Sequence, residues 1–371
     1  MRLCILMPAH WSATLGGAEI QMRYLLSHLR QSTDHEIFMI CRRSLLSIDE
    51  GVPIYRIRTP TPVSRYSYLL DYPSVQCLLK RLDPDVVYTR VGSPLVGYAA
   101  RYCKRFGKKL VHHIARLDDV LPRHMVPMRN RIQAIERPIY EYGLRNADAV
   151  ITQASYQAEL LHRHFRLRPP EVIPNYHPAP GAIPAKDRTL RTVLWVANLK
   201  SVKRPEVFVQ LAERCNSIAN TRFVMVGEIQ DKRYEMLIGK ARSLSNFHFA
   251  GALSLEAVNE LLDRTHIFVN TSVPFGEGFP NTFIQAWLRG VPVVSLEVNP
   301  DHLLDDQDLG LCSAGSDEQL VSDVQALLRD DNRLNRMAQR AFEHGVAHYG
   351  ADNLRRIQSV LEGCLESRTT A

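Results

Sequence analysis

The chain reads twice over as an alternation of short β-type runs and amphipathic helical patterns, and this alternation limits the fold more than any other feature. Strands separated by helical segments do not pair as tight hairpins. The helices cross over a sheet, which makes the strands parallel and covers both of their faces. In the first half the strand candidates are RLCILM (2–7), EIFMIC (36–41), PIYRIR (53–58), DVVYTR (85–90), KLVHHIA (109–115) and AVITQ (149–153). The series restarts with TVLWVAN (192–198), RFVMVGE (222–228), FHFAG (247–251), HIFVNTS (266–272), PVVSL (292–296) and LGLCS (309–313). Between the two series, PNYHPAPGAIPAKD (174–187) is proline-rich and has no apolar periodicity, which is a linker composition.

The expected fold class is therefore α/β: two doubly wound, Rossmann-like domains facing across a cleft. Residues 1–178 form the first domain, 179–190 the linker and 191–350 the second domain, and 351–371 form a C-terminal helix packing back on the first. A length of 371 residues suits two domains at roughly 100–200 residues each. Sheets of this kind take ligands beyond the carboxyl ends of their strands.

Composition narrows the partners. The net charge of +7 is uneven: residues 1–185 hold 25 Lys/Arg against 15 Asp/Glu, while the rest hold 21 against 24. A basic first half fits a polyanion, an anionic lipid surface or a phosphorylated acceptor, and equally an arginine-rich surface serving solubility. The seven cysteines are scattered without a CxxC pair, which argues against a disulfide framework or zinc site and for a reducing compartment. The opening MRLCILMPAHW is apolar, but Pro8 and His10 end the run without a small-residue cleavage site, so it reads as a strand. No apolar run approaches the ~20 residues that span a bilayer. The expectation is a cytoplasmic protein, peripheral at the inner face of a membrane.

Four stretches can carry chemistry. Gly16-Gly17 stand between the first strand and a helix, where backbone amides can approach a phosphate, although a plain tight turn accounts for them equally well. Lys200, Lys203 and Arg204 follow the first strand of the second series and suit a diphosphate or a solvated basic loop. His112 and His113 end a strand, where an imidazole can meet a sugar hydroxyl or simply be a satisfied polar group. The most specific is FGEGFPNTFIQAWLRGVPVVSL (275–296). Pro280 opens a helix over 282–289 and Gly290 caps it. Helical side chains tilt towards their N-terminus, so Gln285 is expected to lean towards the loop holding Glu277, beside the free amides of residues 279–282.

GGAE (16–19), VHHIA (111–115), ANLKSVKRP (197–205) and EGFPNTFIQAWLRGVPVV (277–294) together resemble the retaining, nucleotide-sugar-dependent glycosyltransferases of family 4, which have the two-domain GT-B fold. The resemblance covers essentially the whole chain. It implies that Glu277 contacts the donor sugar as the first glutamate of an E-x7-E signature and that Gln285 stands where the second glutamate holds the ribose. It implies that Lys203 binds the donor diphosphate and that His113, rather than His112, lies near the transferred sugar. Gly16 and Gly17, Asn198, Arg204, Gly278, Phe279, Pro280, Asn281 and Thr282 are implied donor-binding positions.

Two departures stand out: Ala197-Asn198-Leu199 replaces the family's Gly-Arg-Leu, leaving Arg204 to supply the missing charge, and Gln285 replaces a glutamate. The implied activity is transfer of a hexosyl group from a UDP or GDP sugar to a saccharide or lipid-linked acceptor in cell-surface polysaccharide synthesis, with no metal, no cofactor and no nucleic-acid partner. A nucleotide-sugar epimerase or hydrolase, or a non-catalytic nucleotide-sugar-binding module, is the alternative.

Overall fold

A computed structural model describes the chain except Leu15, residues 60–66 and 128–130, Arg168, Arg188, Gly276 and residues 367–371. The last five residues of the expected C-terminal helix therefore lie outside the described residues. All twelve expected strands are present. They are β1 (Arg2–Ala9), β2 (Glu36–Arg43), β4 (Val52–Arg56), β5 (Val86–Arg90), β6 (Lys109–His113), β7 (Ala149–Thr152), β9 (Arg191–Val196), β10 (Thr221–Val226), β11 (Phe247–Gly251), β12 (Ile267–Asn270), β13 (Val293–Ser295) and β14 (Gly310–Cys312). Two further strands, β3 (Ile48–Asp49) and β8 (Glu171–Val172), are two residues long and offered no periodicity to read.

The chain divides into two compact units, Met1–Tyr176 with Ala351–Ala371, and His177–Gly350. The first sheet runs β3-β4-β2-β1-β5-β6-β7-β8, parallel throughout except for the β3–β4 pair. The second runs β11-β10-β9-β12-β13-β14 and is wholly parallel. In each, the chain winds outward to one side of its first strand and then restarts on the other. The reversal falls between β1 and β5 in the first sheet and between β9 and β12 in the second, and such switch points leave a crevice at the strand ends.

Both faces of the first sheet are buried, as its near-continuous apolar strands require. Along β1, Leu3, Ile5 and Met7 join one core while Cys4 and Leu6 join the other, the two-residue period of a strand. The final helix, Asp352–Glu366, adds Leu354, Ile357 and Leu361 to the first of these cores. Their spacing sets them on one helix face. The second unit packs around Trp195, Phe208 and Phe223, all nearly or fully buried. Among the described residues no helix is long and apolar enough to cross a membrane.

Candidate active site

In the second unit the expected residues gather where β9 and β12 end side by side. After β9 the chain makes a 3-10 turn over Ser201–Lys203, and Arg204 takes a left-handed backbone (φ 44°) before the helix Pro205–Arg214. After β12 a loop leads into the helix Asn281–Trp287, which ends before Gly290 at φ 60°. A side chain there would be left-handed and 2.9 Å from Ile183 Cγ2, so glycine is required twice over. Lys186 Nζ donates to the Gly290 carbonyl at 2.7 Å just beyond the carboxyl end of that helix, and burial lowers the pKa of this amine to about 7.

Thr271 ties the two loops together. Its hydroxyl lies 2.6 Å from the Lys203 carbonyl and 3.0 Å from that of Arg204, and accepts from Trp195 Nε1 at 2.9 Å. The Val273 amide adds a bond to the Val202 carbonyl at 3.0 Å. On this base Lys203 Nζ forms an ion pair with Glu277 Oε1, and the two side chains are only 20% and 16% exposed. The Glu277 amide donates to the Pro274 carbonyl at 3.1 Å, which holds the turn that presents the carboxylate.

Arg204, expected to bring a charge to the donor diphosphate, is tied into the loops around it. Its Nε donates to the Thr271 carbonyl (2.7 Å), one terminal nitrogen to Glu297 Oε1 (2.9 Å) and the other to the Ser272 carbonyl (3.0 Å). The guanidinium fork spans three acceptors of the neighbouring loops and locks them together. Asn198 is likewise engaged, its Oδ1 accepting from the Glu228 amide at 3.4 Å.

Gln285 is also held from another side. It is 4% exposed, and its Nε2 donates to Asn259 Oδ1 at 2.9 Å on the helix Leu255–Asp263. A buried amide takes the partner its packing offers, and here that partner lies on an adjacent helix. Of the amides expected free over 279–282, Pro280 has none to give, and its carbonyl accepts from the Phe283 amide at 3.0 Å. Phe279 packs on Trp287 and Tyr349, with ring centroids at 5.9 and 5.7 Å. Asn281 hydrogen-bonds His177, whose pKa burial pushes down to about 4. Gly278 precedes Phe279 in the loop, and Thr282 is the second residue of the helix.

In the first unit, Gly16 caps the helix Gly17–Ser32 with an extended backbone. A side chain on Gly16 would meet the Glu19 carboxylate at 2.7 Å. That carboxylate accepts from the backbone of Glu19 and Gly16, and burial raises its pKa. The acceptor at this helix start is therefore the chain's own third-position glutamate, the usual partner of unpaired first-turn amides.

His112 and His113 end β6 fully buried. His112 Nδ1 is 2.9 Å from Thr89 Oγ1 and its Nε2 is 3.4 Å from the Tyr140 hydroxyl. His113 Nδ1 is 2.7 Å from the Tyr88 hydroxyl and 3.2 Å from Arg90, while its Nε2 has no partner. Burial lowers both pKa values, His112 to about 4 and His113 well below the ordinary histidine value, with Arg90 and His112 adding to the effect on His113. Both rings are neutral near pH 7. Thr271, Glu297, Asn259, Tyr88 and Arg90 had not been singled out; a Tyr-Thr-Arg ending on an otherwise apolar strand was the signal for the last.

Two doubly wound units, one carrying a lysine–glutamate pair at its switch point, define the GT-B architecture. The chain belongs to the group 1, family 4 glycosyltransferases. The model described as Glycosyltransferase Family 4 matches residues 15–176, and the one described as Glycosyl transferases group 1 matches residues 190–330. Among solved structures, WaaG, a glycosyltransferase involved in lipopolysaccharide biosynthesis, matches with a TM-score of 0.77 at 15% identity over 97% of this chain and 100% of its own. Sucrose-phosphate synthase from Thermosynechococcus elongatus has a TM-score of 0.74 at 15% identity, covering 99% and 100%. Anabaena HepE in complex with UDP-glucose has 0.72 at 14% identity, covering 100% of both chains. No curated protein matches the sequence.

Proposed function

We propose that this glycosyltransferase is a retaining, metal-independent hexosyltransferase that takes a hexosyl group from a UDP or GDP sugar to a saccharide or lipid-linked acceptor in cell-surface glycan synthesis. The Lys203–Glu277 ion pair at the β9–β12 switch point carries the reading. Each group holds the place of the other's partner in the donor complex: Lys203 turns to the diphosphate and Glu277 to the sugar hydroxyls.

As the glycosidic bond breaks, negative charge grows on the leaving diphosphate, and Lys203 stabilises it without proton transfer. Arg204 contributes through its clamp on residues 271, 272 and 297, which fixes the turn ahead of its own helix. Glu277 then positions the sugar rather than acting as the paired nucleophile of a retaining glycosidase. The leaving phosphate takes the acceptor proton on the same face, and Glu277 orients the ring. Neutral His113 would offer its buried, unpartnered Nε2 to a sugar oxygen. That WaaG serves lipopolysaccharide synthesis and HepE holds UDP-glucose supports the donor class and the cell-surface acceptor. The arginine-rich first half favours an acceptor at an anionic inner-membrane surface.

The test is a thermal-shift panel of UDP, GDP and their hexoses, followed by transfer assays with and without chelator. One nucleotide should raise Tm by mass action. A Glu277→Ala protein that kept full transfer would sink the assignment. Rapid conversion of donor alone, without acceptor, would replace it with a hydrolase or epimerase.

A further inference from the structure

Arg90 is a buried cation for which the transfer reaction has assigned no role. It closes β5 directly opposite His113 on β6 and is 3% exposed. Among the described residues no carboxylate is hydrogen-bonded to it; Glu19 and Asp119 act on it through their charge. One terminal nitrogen lies 3.2 Å from His113 Nδ1, and the other donates to Asn175 Oδ1 at 2.6 Å.

The polarity of this chain of contacts can be read from its far end. The Ile114 carbonyl can only accept, so the group 2.7 Å from it is the amino end of Gln153. That turns Gln153 Oε1 towards Asn175, whose amino group donates to it at 3.0 Å. Asn175 therefore presents its oxygen to Arg90. A guanidinium has only N–H to offer, so the ring nitrogen facing it must accept. His113 Nδ1 is consequently unprotonated, and the hydrogen of the ring sits on Nε2, the atom left without a partner. Tyr88, 2.7 Å from the same Nδ1, can donate or accept and so does not decide the matter.

We propose that Arg90 is a positioning residue: braced by Asn175 and Gln153, it fixes His113 in the tautomer that carries hydrogen on Nε2 and so makes that atom a donor to an oxygen of the transferred sugar. The tautomer follows from contacts within the first unit alone; the identity of the acceptor rests on the transferase reading.

Nitrogen NMR on histidine-labelled full-length protein at pH 7 tests it. The wild type should give a proton-bearing shift at His113 Nε2 and an acceptor shift at Nδ1. A proton on Nδ1, or on both nitrogens, would overturn the proposal. Arg90→Met should lower the Nε2–H to Nδ1–H ratio by about tenfold or more, the worth of one charge-assisted hydrogen bond. Arg90→Lys, which keeps a cationic donor, and Tyr88→Phe should both retain the wild-type form. An unchanged ratio in Arg90→Met, or its loss in Arg90→Lys or Tyr88→Phe, removes Arg90 from the role.

In transfer assays Arg90→Met should lower kcat with little change in acceptor KM. If the spectrum is as expected and no nucleotide sugar is consumed, the transferase reading fails and the tautomer assignment stands. If transfer proceeds with Nδ1 protonated, the tautomer assignment fails alone.

Discussion

Lys203 and Glu277, seventy-four residues apart in sequence, neutralise each other at the end of two adjacent parallel strands. Partners that must separate to grip a ligand form one functional unit. Lys203→Ala is expected to lower kcat/KM by about 100- to 1,000-fold, the usual loss for a group that stabilises transition-state charge. The double variant with Glu277→Gln should then lose far less than the product of the single losses. Independent, multiplicative losses in steady-state kinetics would show that the pair is incidental.

Arg204 makes the opposite case, a cation whose three donor groups are all engaged inside the protein. Lysine keeps the charge but cannot span three acceptors from one planar fork. Arg204→Lys is expected to lower thermal stability by about 1–3 kcal/mol and to weaken nucleotide binding through the loosened loop. Calorimetry and a nucleotide titration read both effects. Unchanged stability with weakened binding would return Arg204 to direct contact with the diphosphate.

Thr271 supports the same turn from beneath. Thr271→Val keeps the shape but leaves the buried Trp195 N–H without its acceptor and the Lys203 carbonyl without its donor. The expected cost is about 2 kcal/mol. Thr271→Ser should recover most of it, a rescue that a denaturation series can measure.

Acid should destabilise both units. Burial holds His112 in the first unit and His177 in the second at pKa values of about 4, against 6.5 when exposed. Between these values the unfolded chain binds more protons than the folded one, so stability falls as pH drops from 6.5 towards 4. Each group contributes a loss of up to about 2 kcal/mol between pH 7 and 5. Replacing His112 by Asn should flatten the profile of the first unit in a pH series of melting curves.

The strands were legible because parallel sheets bury them on both faces and leave near-continuous apolar runs; RLCILM and DVVYTR announce themselves in this way. Lys203 and Glu277 were legible through the resemblance of ANLKSVKRP and EGFPNTFIQAWLRGVPVV to the family, since a charge in a loop at a strand end is by itself as readily a solvated group. What the sequence could not show was who satisfies whom. Gln285 turns to Asn259, Arg204 to Glu297, and Glu19 to its own helix start. These choices depend on packing between segments far apart in the chain, and no local pattern encodes them. Arg90 was hidden for the same reason: within a strand it counts as one polar residue, and its meaning comes from His113 across the ladder.

The placement of the last helix also sets an order of assembly. Leu354, Ile357 and Leu361 complete an apolar face begun by Leu3, Ile5 and Met22, so the unit that leaves the ribosome first is the last to be finished. The second unit is one unbroken segment, His177–Gly350, and can close as soon as it is made. During synthesis the first sheet waits with that face uncovered while nearly half the protein is added, a window in which misassembly or chaperone capture is most favoured.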